Sequence, residues 1–545
     1  MIPGTGMVST SRRDVLQKMV GISGLATAGL LVPGSGIAAT PGGQVSPAEG
    51  LPQNATGSLA GIFDVRHFGA RGDGRNVDTP AVNRAIEAAA AAGGGTVLFP
   101  AGNYLCFSIH LKSKVSLYLA QGAAIIAGDT GQGGSYDGAE PNPWDMYQDY
   151  GHSHWHNALL WGEGLSDLAI LGPGLIWGKG LTRGPNERGE GVGDKALSLK
   201  SCRNVLVRDV AFLHAGHFAI LATGVDNLTV DNVKIDTNRD GIDFDCCRNV
   251  RVSNCSVNSP WDDGLCPKSS FALGHSRTTE NVTITNCYVT GNFQEGTMLD
   301  GTWKPFPASA RASRTGRIKF GTESNGGFKN ITVSNCVFEG CRGLALETVD
   351  GALLEDITFS NLTMRDVAQM PIFMRLGARM RGPKGIPIGR LRRVQISGLV
   401  ASHTEGRFAS VLSGIPGHDI EDVKLSDITI LHKGGGTKAD AALQLEEKES
   451  AYPEPDMFGT TPSYGFYIRH VNRLEMSNIE VRYENEDQRP AILLNDVKRA
   501  DFLHVKADHA PSVPVFAMKD VTDFNLYLSR PLADTHLEYV EKKEL

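Results

Sequence analysis

The sequence has no excess of basic residues. Of its 545 residues, 53 are Lys or Arg and 60 are Asp or Glu, which gives a formal net charge of −7. Proteins that bind nucleic acids usually carry a basic excess or patch, so the composition argues against that class. Nor is the chain poor in apolar residues, which make up 41% of it. This content excludes an intrinsically disordered protein.

Other absences exclude further classes. Nine cysteines cannot all pair, so a disulfide framework is not expected. No Gly-X-Y period accompanies the 64 glycines, which are instead expected at tight turns. After the N-terminus no apolar run approaches the roughly 20 residues of a membrane-spanning helix, so no membrane partner is expected. The Gly-rich stretch 69–74 lacks the Lys that completes a phosphate-binding loop.

The N-terminus is typical of an export signal. Arg12 and Arg13 precede a short Gly- and Ala-rich apolar run, and Ala38 and Ala39 supply small residues for cleavage. This arrangement resembles a twin-arginine signal peptide, which predicts a periplasmic or secreted protein. The Pro-, Gly- and Ser-containing stretch that follows is expected to be a disordered leader. The predicted organisation is a signal peptide at 1–39, a leader at 40–60 and one folded domain at 61–545.

A nine-residue pattern recurs nine times in the middle of the chain. Each copy has a polar residue, alternating apolar residues, a second polar residue or Gly, and a further alternating pair. Alternation with period two indicates β-strands. The first two intervals between the second polar positions are 23 and 22 residues, and later intervals are longer, which indicates loops inserted into a short repeat. These second positions are Asp209, Asn232, Asn254, Asn286, Asn335, Asn361, Gly398, Asp427 and Asn478.

Repeats of this size cannot bury an apolar face alone and must stack on one another. We therefore predict an all-β fold, a single-stranded right-handed parallel β-helix with an apolar interior. Cys255, Cys287 and Cys336 share one position of the pattern and are expected to stack inside as small hydrophobic residues. An Ala-rich helix that begins near Thr79 is expected to cap the N-terminal end.

Acidic residues recur at one place in successive repeats. His217, Asp240 and Asp262 each follow a second polar position by eight residues, and Asp263 comes next. The Asp-Gly pairs at 240 and 263 offer a second register, one residue longer. Either register places carboxylates of adjacent coils on one face, where repulsion raises at least one pKa. A protonated acid beside an ionised base suits glycoside hydrolysis, although solvated turn residues or a Ca²⁺ site are alternatives.

The segments around these acids resemble glycoside hydrolase family 28, the polygalacturonase and rhamnogalacturonase family. NRDGID (238–243) is similar to the family's NTDGID, and SPWDDGLCPKS (259–269) to its Asp-Asp block, within a likeness that spans about residues 60–480. The resemblance implies a pectin-lyase-like fold, no metal or organic cofactor, and inversion with acid and base about 6.5–9.5 Å apart. It also implies that Asp262 is the general acid and that Asp240 and Asp263 activate water.

Two motifs of that family are not matched. RTGRIKFGTES (314–324) stands in place of its Gly-His-Gly, and Ala345-Leu346-Glu347 in place of the Arg-Ile-Lys that grips a galacturonate carboxylate. Glu347 would repel such a carboxylate, which predicts a neutral or deoxy sugar beside the scissile bond, as in rhamnogalacturonan. The sequence Arg-Ile-Lys does occur at 317–319. We interpret it as either coincidence or relocated charge.

Candidate substrate-binding residues surround the acids. Trp261 offers a flat face to a sugar. Counting five residues past Asp240, Asp263 and Arg342 aligns Asp245, Lys268 and Glu347, so Lys268 is expected to pair with both acids. Insertions at 130–160, 291–315, 365–392 and 431–470 could wall the groove into a pocket. The remaining candidates are His217, Arg317, Lys319, Glu323, Arg342 and Arg375.

The sequence thus predicts an exported, inverting glycoside hydrolase that cleaves pectic polysaccharide or its oligosaccharides. Two alternatives stay open at this level. A polysaccharide lyase of the same fold could use Lys268 or Lys319 as the base that removes the C5 proton, often with Ca²⁺. A non-catalytic carbohydrate-binding β-helix would need no acid at Asp262. The oligomeric state is not predicted.

Overall fold

The alternating repeats form parallel coils in a computed structural model that describes residues 60–184, 189–307, 309–310 and 313–545. The predicted export signal and the leader up to residue 59 lie outside these residues. Each coil contributes strands to sheets that run the length of the molecule, and neighbouring strands pair almost entirely in parallel. The predicted right-handed parallel β-helix is confirmed.

Two of the sheets begin as separate columns of short strands. The first contains Ile62–Asp64, Gly95–Phe99, Val115–Leu119, Ser166–Leu171, Arg203–Arg208, Asp226–Asp231, Arg248–Ser253 and Thr279–Thr285. The second contains Asp73–Val77, Gly102–Cys106, Ala123–Ala127, Leu175–Trp177, Ala211–Leu213, Lys234–Asp236, Ser256–Asn258 and Tyr288–Thr290. They merge in the long strands Phe328–Glu339, Leu353–Arg365, Arg390–Thr404, Ile420–Gly434, Phe466–Asn485, Ile492–Ala507 and Phe516–Tyr527.

The third column, which we call the site sheet, carries the candidate acids. Its strands are Ile109–His110, Ala158–Glu163, Lys195–Lys200, Phe218–Thr223, Asp240–Asp245, Leu265–Lys268, Lys319–Phe320, Leu344–Thr348, Ile372–Leu376 and Ser410–Ser413. The first residues of Phe466–Asn485 continue it. Because each strand belongs to a different coil, residues far apart in sequence become neighbours along this sheet.

The polar positions of the repeat are explained by backbone geometry. All nine second positions, from Asp209 to Asn478, have a φ between 52° and 67°. Asn, Asp and Gly tolerate this left-handed conformation better than other residues, so they mark the corner of each coil. Their amides also form a ladder along the outside, since Asn335 donates to Asn286 and Asn361 to Asn335. The repeat in the sequence is therefore a repeat of turns.

The interior is apolar, as predicted. Cys255, Cys287 and Cys336 are buried in the core that runs through the coils, and all nine cysteines are free and buried. The helix Thr79–Ala91 packs Ala81, Val82, Ala85, Ile86 and Ala89 against the first coils, which confirms the predicted cap. At the other end, Thr535–Glu544 pairs antiparallel with Phe516–Tyr527.

The remaining elements lie in the insertions and near the N-terminal cap. An antiparallel ribbon joins Phe293–Glu295 to Lys304–Pro305, and a short helix spans Lys438–Ala441. Single 3₁₀ turns occupy Val65–Phe68, Asp145–Tyr147 and Pro455–Phe458. Among the described residues, no helix has the length and apolar character needed to cross a membrane.

Candidate active site

The Asp-Gly pairs set the register of the two acidic coils. Ile242 pairs with Leu265, which places Asp240 beside Asp263 as in the longer of the two predicted registers. The Gly241 amide donates to the Asp263 carbonyl at 2.9 Å. A Cβ atom on Gly241 would lie 2.3 Å from the Gly264 carbonyl oxygen, so only glycine allows the coils to approach this closely behind the acids.

His217, Asp240 and Asp262 converge on one point of the site sheet. One polar atom from each lies within 4.8 Å of the others, and His217 Nε2 is 3.6 Å from Asp240 Oδ2. Arg239 places its guanidinium 2.7 Å from Asp262 Oδ2 and 3.4 Å from His217 Nε2. Three such ligands could hold a cation, but Arg239 already supplies positive charge at this point.

Asp263 is turned toward a pair of buried cations. Arg317 Nε donates to its Oδ1 at 2.8 Å, and Lys319 Nζ lies 3.1 Å from its Oδ2. Arg317 and Lys319 come from the next coil along the site sheet. The Arg317-Ile318-Lys319 sequence thus lies against the acids, which favours relocated charge over coincidence. Both basic residues belong to the acidic cluster.

These surroundings separate the protonation states of the three acids. Burial raises the pKa of Asp240 well above its usual range, and Asp243 and Asp262 raise it further. Burial also raises the pKa of Asp262, more than Arg239 lowers it. For Asp263 burial acts in the same direction, but Lys319 and Arg317 outweigh it and hold the pKa well below its usual range. Two of the acids thus have a raised pKa and the third a lowered one, which is the separation that acid–base catalysis uses.

The distance between the acids differs from the expectation for an inverting pair. Atoms of Asp240 and Asp262 lie within 4.8 Å, which is shorter than the roughly 6.5–9.5 Å that leaves room for water between acid and base. The nearest carboxyl oxygens of Asp240 and Asp262 are therefore closer than this range.

The residue count predicted that Lys268 pairs with Asp245 and Glu347, and this prediction is wrong. Its Nζ lies 3.2 Å from Glu323 Oε2 and 3.8 Å from Asp243 Oδ2. The count missed a coil, since the strand Lys319–Phe320 lies between Leu265–Lys268 and Leu344–Thr348. Asp245 instead accepts hydrogen bonds from Ser270.

Glu454, from the insertion at 431–470, is a site residue that sequence reasoning missed. Its carboxylate lies 2.5 Å from Arg317 Nη2, 3.3 Å from Lys319 Nζ and 2.5 Å from Arg342 Nη1. These cations lower the pKa of Glu454 to about 2, although burial acts in the opposite direction. No repeat or motif marks this glutamate. Arg239 was missed too, although it directly precedes Asp240.

The insertions meet over the site sheet, which agrees with the predicted wall. Asp149 from the first insertion accepts from Tyr452 Oη at 3.0 Å and from Arg381 Nη1 at 2.5 Å. Arg381 also donates to the buried Glu323 at 2.9 Å. Phe306 packs edge-on against Trp261. Trp261 itself is 40% exposed, so the insertions leave this side of the site open to solvent.

The structure does not bring Arg375 to the acids. Arg375 is buried one coil beyond Glu347, to which it is the register neighbour but not a hydrogen-bond partner. Its guanidinium donates to Ser413 Oγ at 2.7 Å and to backbone carbonyls, including that of Glu447 at 2.8 Å. Its contacts position the loop that carries Glu454 and do not face a substrate.

Glu347 is a fully buried carboxyl group without a hydrogen bond from any described residue. Burial raises its pKa to about 8, although Lys319 and Arg317 act in the opposite direction. Between pH 4.5 and 8 the folded protein therefore keeps a proton that the unfolded chain releases. Glu347 thus lowers the free energy of unfolding as the pH rises through this range.

We expect Glu347→Gln to remove this dependence. The free energy of unfolding of the variant, relative to that of the unsubstituted protein, should rise between pH 5 and pH 8 by on the order of 3 kcal/mol. Urea unfolding at the two pH values measures it. The exposed Glu475→Gln is the control, for which the difference should stay flat. An equally flat difference for Glu347→Gln would show that Glu347 is ionised in the folded protein.

Comparisons with known proteins agree with this fold. A family model described as rhamnogalacturonase A/epimerase, pectate lyase-like, matches residues 62–134, and one described as a right-handed β-helix region matches 186–304. A probable polygalacturonase from Vitis vinifera is 23% identical over 411 residues, which cover 70% of this chain and 77% of that protein.

A solved structure and a local match complete the comparisons. The exopolygalacturonase from Thermotoga maritima superposes with a TM-score of 0.56 at 20% identity, over 78% of this chain and 92% of that one. The mannuronan C5-epimerase AlgE3 from Azotobacter vinelandii is 42% identical over 73 residues, which are 13% of this chain and 4% of that protein. At these identities the solved structure establishes the fold alone.

Proposed function

We propose that this chain, a GH28-like protein with the pectin-lyase fold, is a glycoside hydrolase that acts on pectic polysaccharide or its oligosaccharides. The observation that carries the proposal is the convergence of Asp240 and Asp262, with Asp263 in register beside Asp240 and shifted in pKa in the opposite direction. Hydrolysis of a glycosidic bond needs a proton donor for the leaving oxygen and a base for water. Export through the predicted twin-arginine signal belongs to the same proposal.

Asp262 is assigned as the general acid. Its side chain is 25% exposed, whereas those of Asp240 and Asp263 are 4% and 2% exposed, so Asp262 is the acid that a leaving oxygen can reach. Its raised pKa keeps the proton available. Asp263, ionised by Arg317 and Lys319, serves as the base that activates water, and Asp240, with its raised pKa, orients that water through a hydrogen bond.

The lyase alternative is disfavoured by the lysines it would use. Burial would lower the pKa of Lys268 and of Lys319, but neighbouring acids such as Glu323 and Asp263 raise both well above the usual range. Protonated amines cannot remove a C5 proton. Among the residues discussed here, His217 is the neutral base, since burial holds its pKa well below the usual value.

Product analysis on defined pectic oligosaccharides, including rhamnogalacturonan fragments, tests the proposal. We expect new reducing ends without the ultraviolet absorbance of an unsaturated sugar, and the first product should have the inverted anomeric configuration. Absorbance from an unsaturated product would identify a lyase, for which His217 is the candidate base. Retention of configuration would refute the role of Asp263 as the base, because the close pair Asp240 and Asp262 would then supply acid and nucleophile.

A further inference from the structure

Three cations of the site converge on one carboxylate that belongs to the chain itself. Arg317, Lys319 and Arg342 all contact Glu454, and the two nearest nitrogen–oxygen distances are both 2.5 Å. Guanidinium and ammonium groups arranged around one point are suited to bind a carboxylate. Arg317 is fully buried and Lys319 is 4% exposed. A substrate carboxylate could reach them only by displacing Glu454.

The segment that carries Glu454 is firmly anchored. We call residues 445–458 the strap. Arg469 donates to the carbonyls of Leu445 and Glu446 at 3.1 and 3.0 Å, and Arg375 donates to those of Glu447 and Lys448 at 2.8 and 3.1 Å.

The far end of the strap is held as well. The Phe458 ring lies under both guanidinium groups, 4.9 Å from Arg469 and 5.4 Å from Arg375. Hydrogen bonds from buried charged groups are among the stronger ones in proteins. These contacts favour a fixed position of Glu454 over a lid that opens for each substrate.

Glu347 completes the electrostatic arrangement. It lies one coil beyond Lys319, and neither of its oxygens has a hydrogen-bond partner among the described residues. A second full negative charge beside Glu454 would be costly in this buried setting. The cluster therefore balances three cations mainly with Asp263 and Glu454, and the most exposed of these cations, Arg342, is only 13% exposed.

We infer that Glu454 is a specificity-determining residue, whose carboxylate takes the place of a substrate carboxylate among Arg317, Lys319 and Arg342 so that the sugar bound beside this cluster must be uncharged. The inference rests on the proposed function and adds the residue that sets its substrate class. It accounts for basic residues that stand at the site and yet are not available to a galacturonate. Neutral, deoxy or esterified sugars remain acceptable there.

The test compares oligogalacturonates with their methyl esters, which are the same sugars without the negative charge. In Glu454→Gln, kcat/KM for the free acid relative to that for the ester should rise about tenfold or more, because repulsion is replaced by attraction to uncovered cations. Glu446→Gln is the matched control, since it removes the same charge from an exposed position of the same strap. Its ratio should equal that of the unsubstituted protein.

Calorimetric binding of the free acid and the methyl ester of a galacturonate disaccharide gives a readout that needs no turnover. If no variant hydrolyses any substrate, the proposed function fails, while this measurement still tests Glu454. Glu347→Gln/Glu454→Gln is measured as well, because Glu347 can ionise when Glu454 is gone. The double variant Arg342→Gln/Glu454→Gln has the same net charge as the unsubstituted protein. It is used in place of Glu454→Gln if Glu454→Gln does not fold. An unchanged preference in the folded variants would overturn the inference.

Discussion

The Asp262→Asn variant is expected to lose roughly 10²–10⁴-fold in kcat, with little change in KM. The amide has the shape of the acid but no proton to give, so the leaving sugar must depart as an alkoxide. Substrate contacts away from the scissile bond are unaltered, which preserves binding. Asp262 is the most exposed of the three acids, and its loss cannot be covered by Asp240, whose side chain is only 4% exposed.

Initial rates on a pectic oligosaccharide measure this effect. Asp427→Asn is a matched control, because Asp427 occupies an exposed corner of a coil where most other repeats already have Asn. Its kcat should stay within about twofold of that of the unsubstituted protein. Wild-type turnover in Asp262→Asn would remove Asp262 as the acid. If Asp240→Asn were then inactive, Asp240 would be the proton donor. If neither substitution affected function, a non-catalytic carbohydrate-binding protein would be indicated.

Arg317→Gln is expected to affect both stability and the pH profile. Arg317 is fully buried and bonded to Asp263 and Glu454, so its removal leaves the buried carboxylate of Asp263 and the partly buried one of Glu454 poorly compensated. Breaking a buried pair in this way costs about 3–5 kcal/mol. The low pKa of Asp263 stabilises the fold above the pKa of the unfolded chain, and this stabilisation is lost as the pH falls through the folded pKa. Without Arg317 that folded pKa rises, and the acid limb of kcat/KM moves to higher pH.

Urea unfolding at pH 7 and the pH dependence of kcat/KM measure the two effects. Arg365→Gln serves as the control, because the Arg365 side chain is 64% exposed and paired only loosely with Asp366. The free energy of unfolding of this control should change by less than about 0.5 kcal/mol. An Arg317→Gln variant with the stability and pH profile of the unsubstituted protein would show that Lys319 alone keeps Asp263 ionised.

The sequence by itself determined the coil and the position of the acids along it. Strand alternation, the cysteine column and the polar corners each follow from one local rule, because every coil repeats the same turn conformation. The two Asp-Gly pairs also offered the register that brings Asp240 beside Asp263, which the structure then selected over the shorter one. These features depend only on residues in the same coil or in the next one. Where the repeat length is constant, positions one repeat apart in the sequence are therefore neighbours in the structure.

Only the tertiary structure decided what surrounds the acids. The coil at 314–324 follows a long insertion, so counting residues misplaced Arg317, Lys319 and the partner of Lys268. Glu454 lies 137 positions from Arg317 and reaches it through a strap that obeys no repeat. Insertions carry no periodicity, because their course is set by contacts with the finished helix, such as the carbonyls held by Arg375 and Arg469. The charge balance of the site, which sets the class of sugar that we propose it accepts, therefore depends on contacts between residues far apart in sequence. No local sequence pattern predicts these contacts.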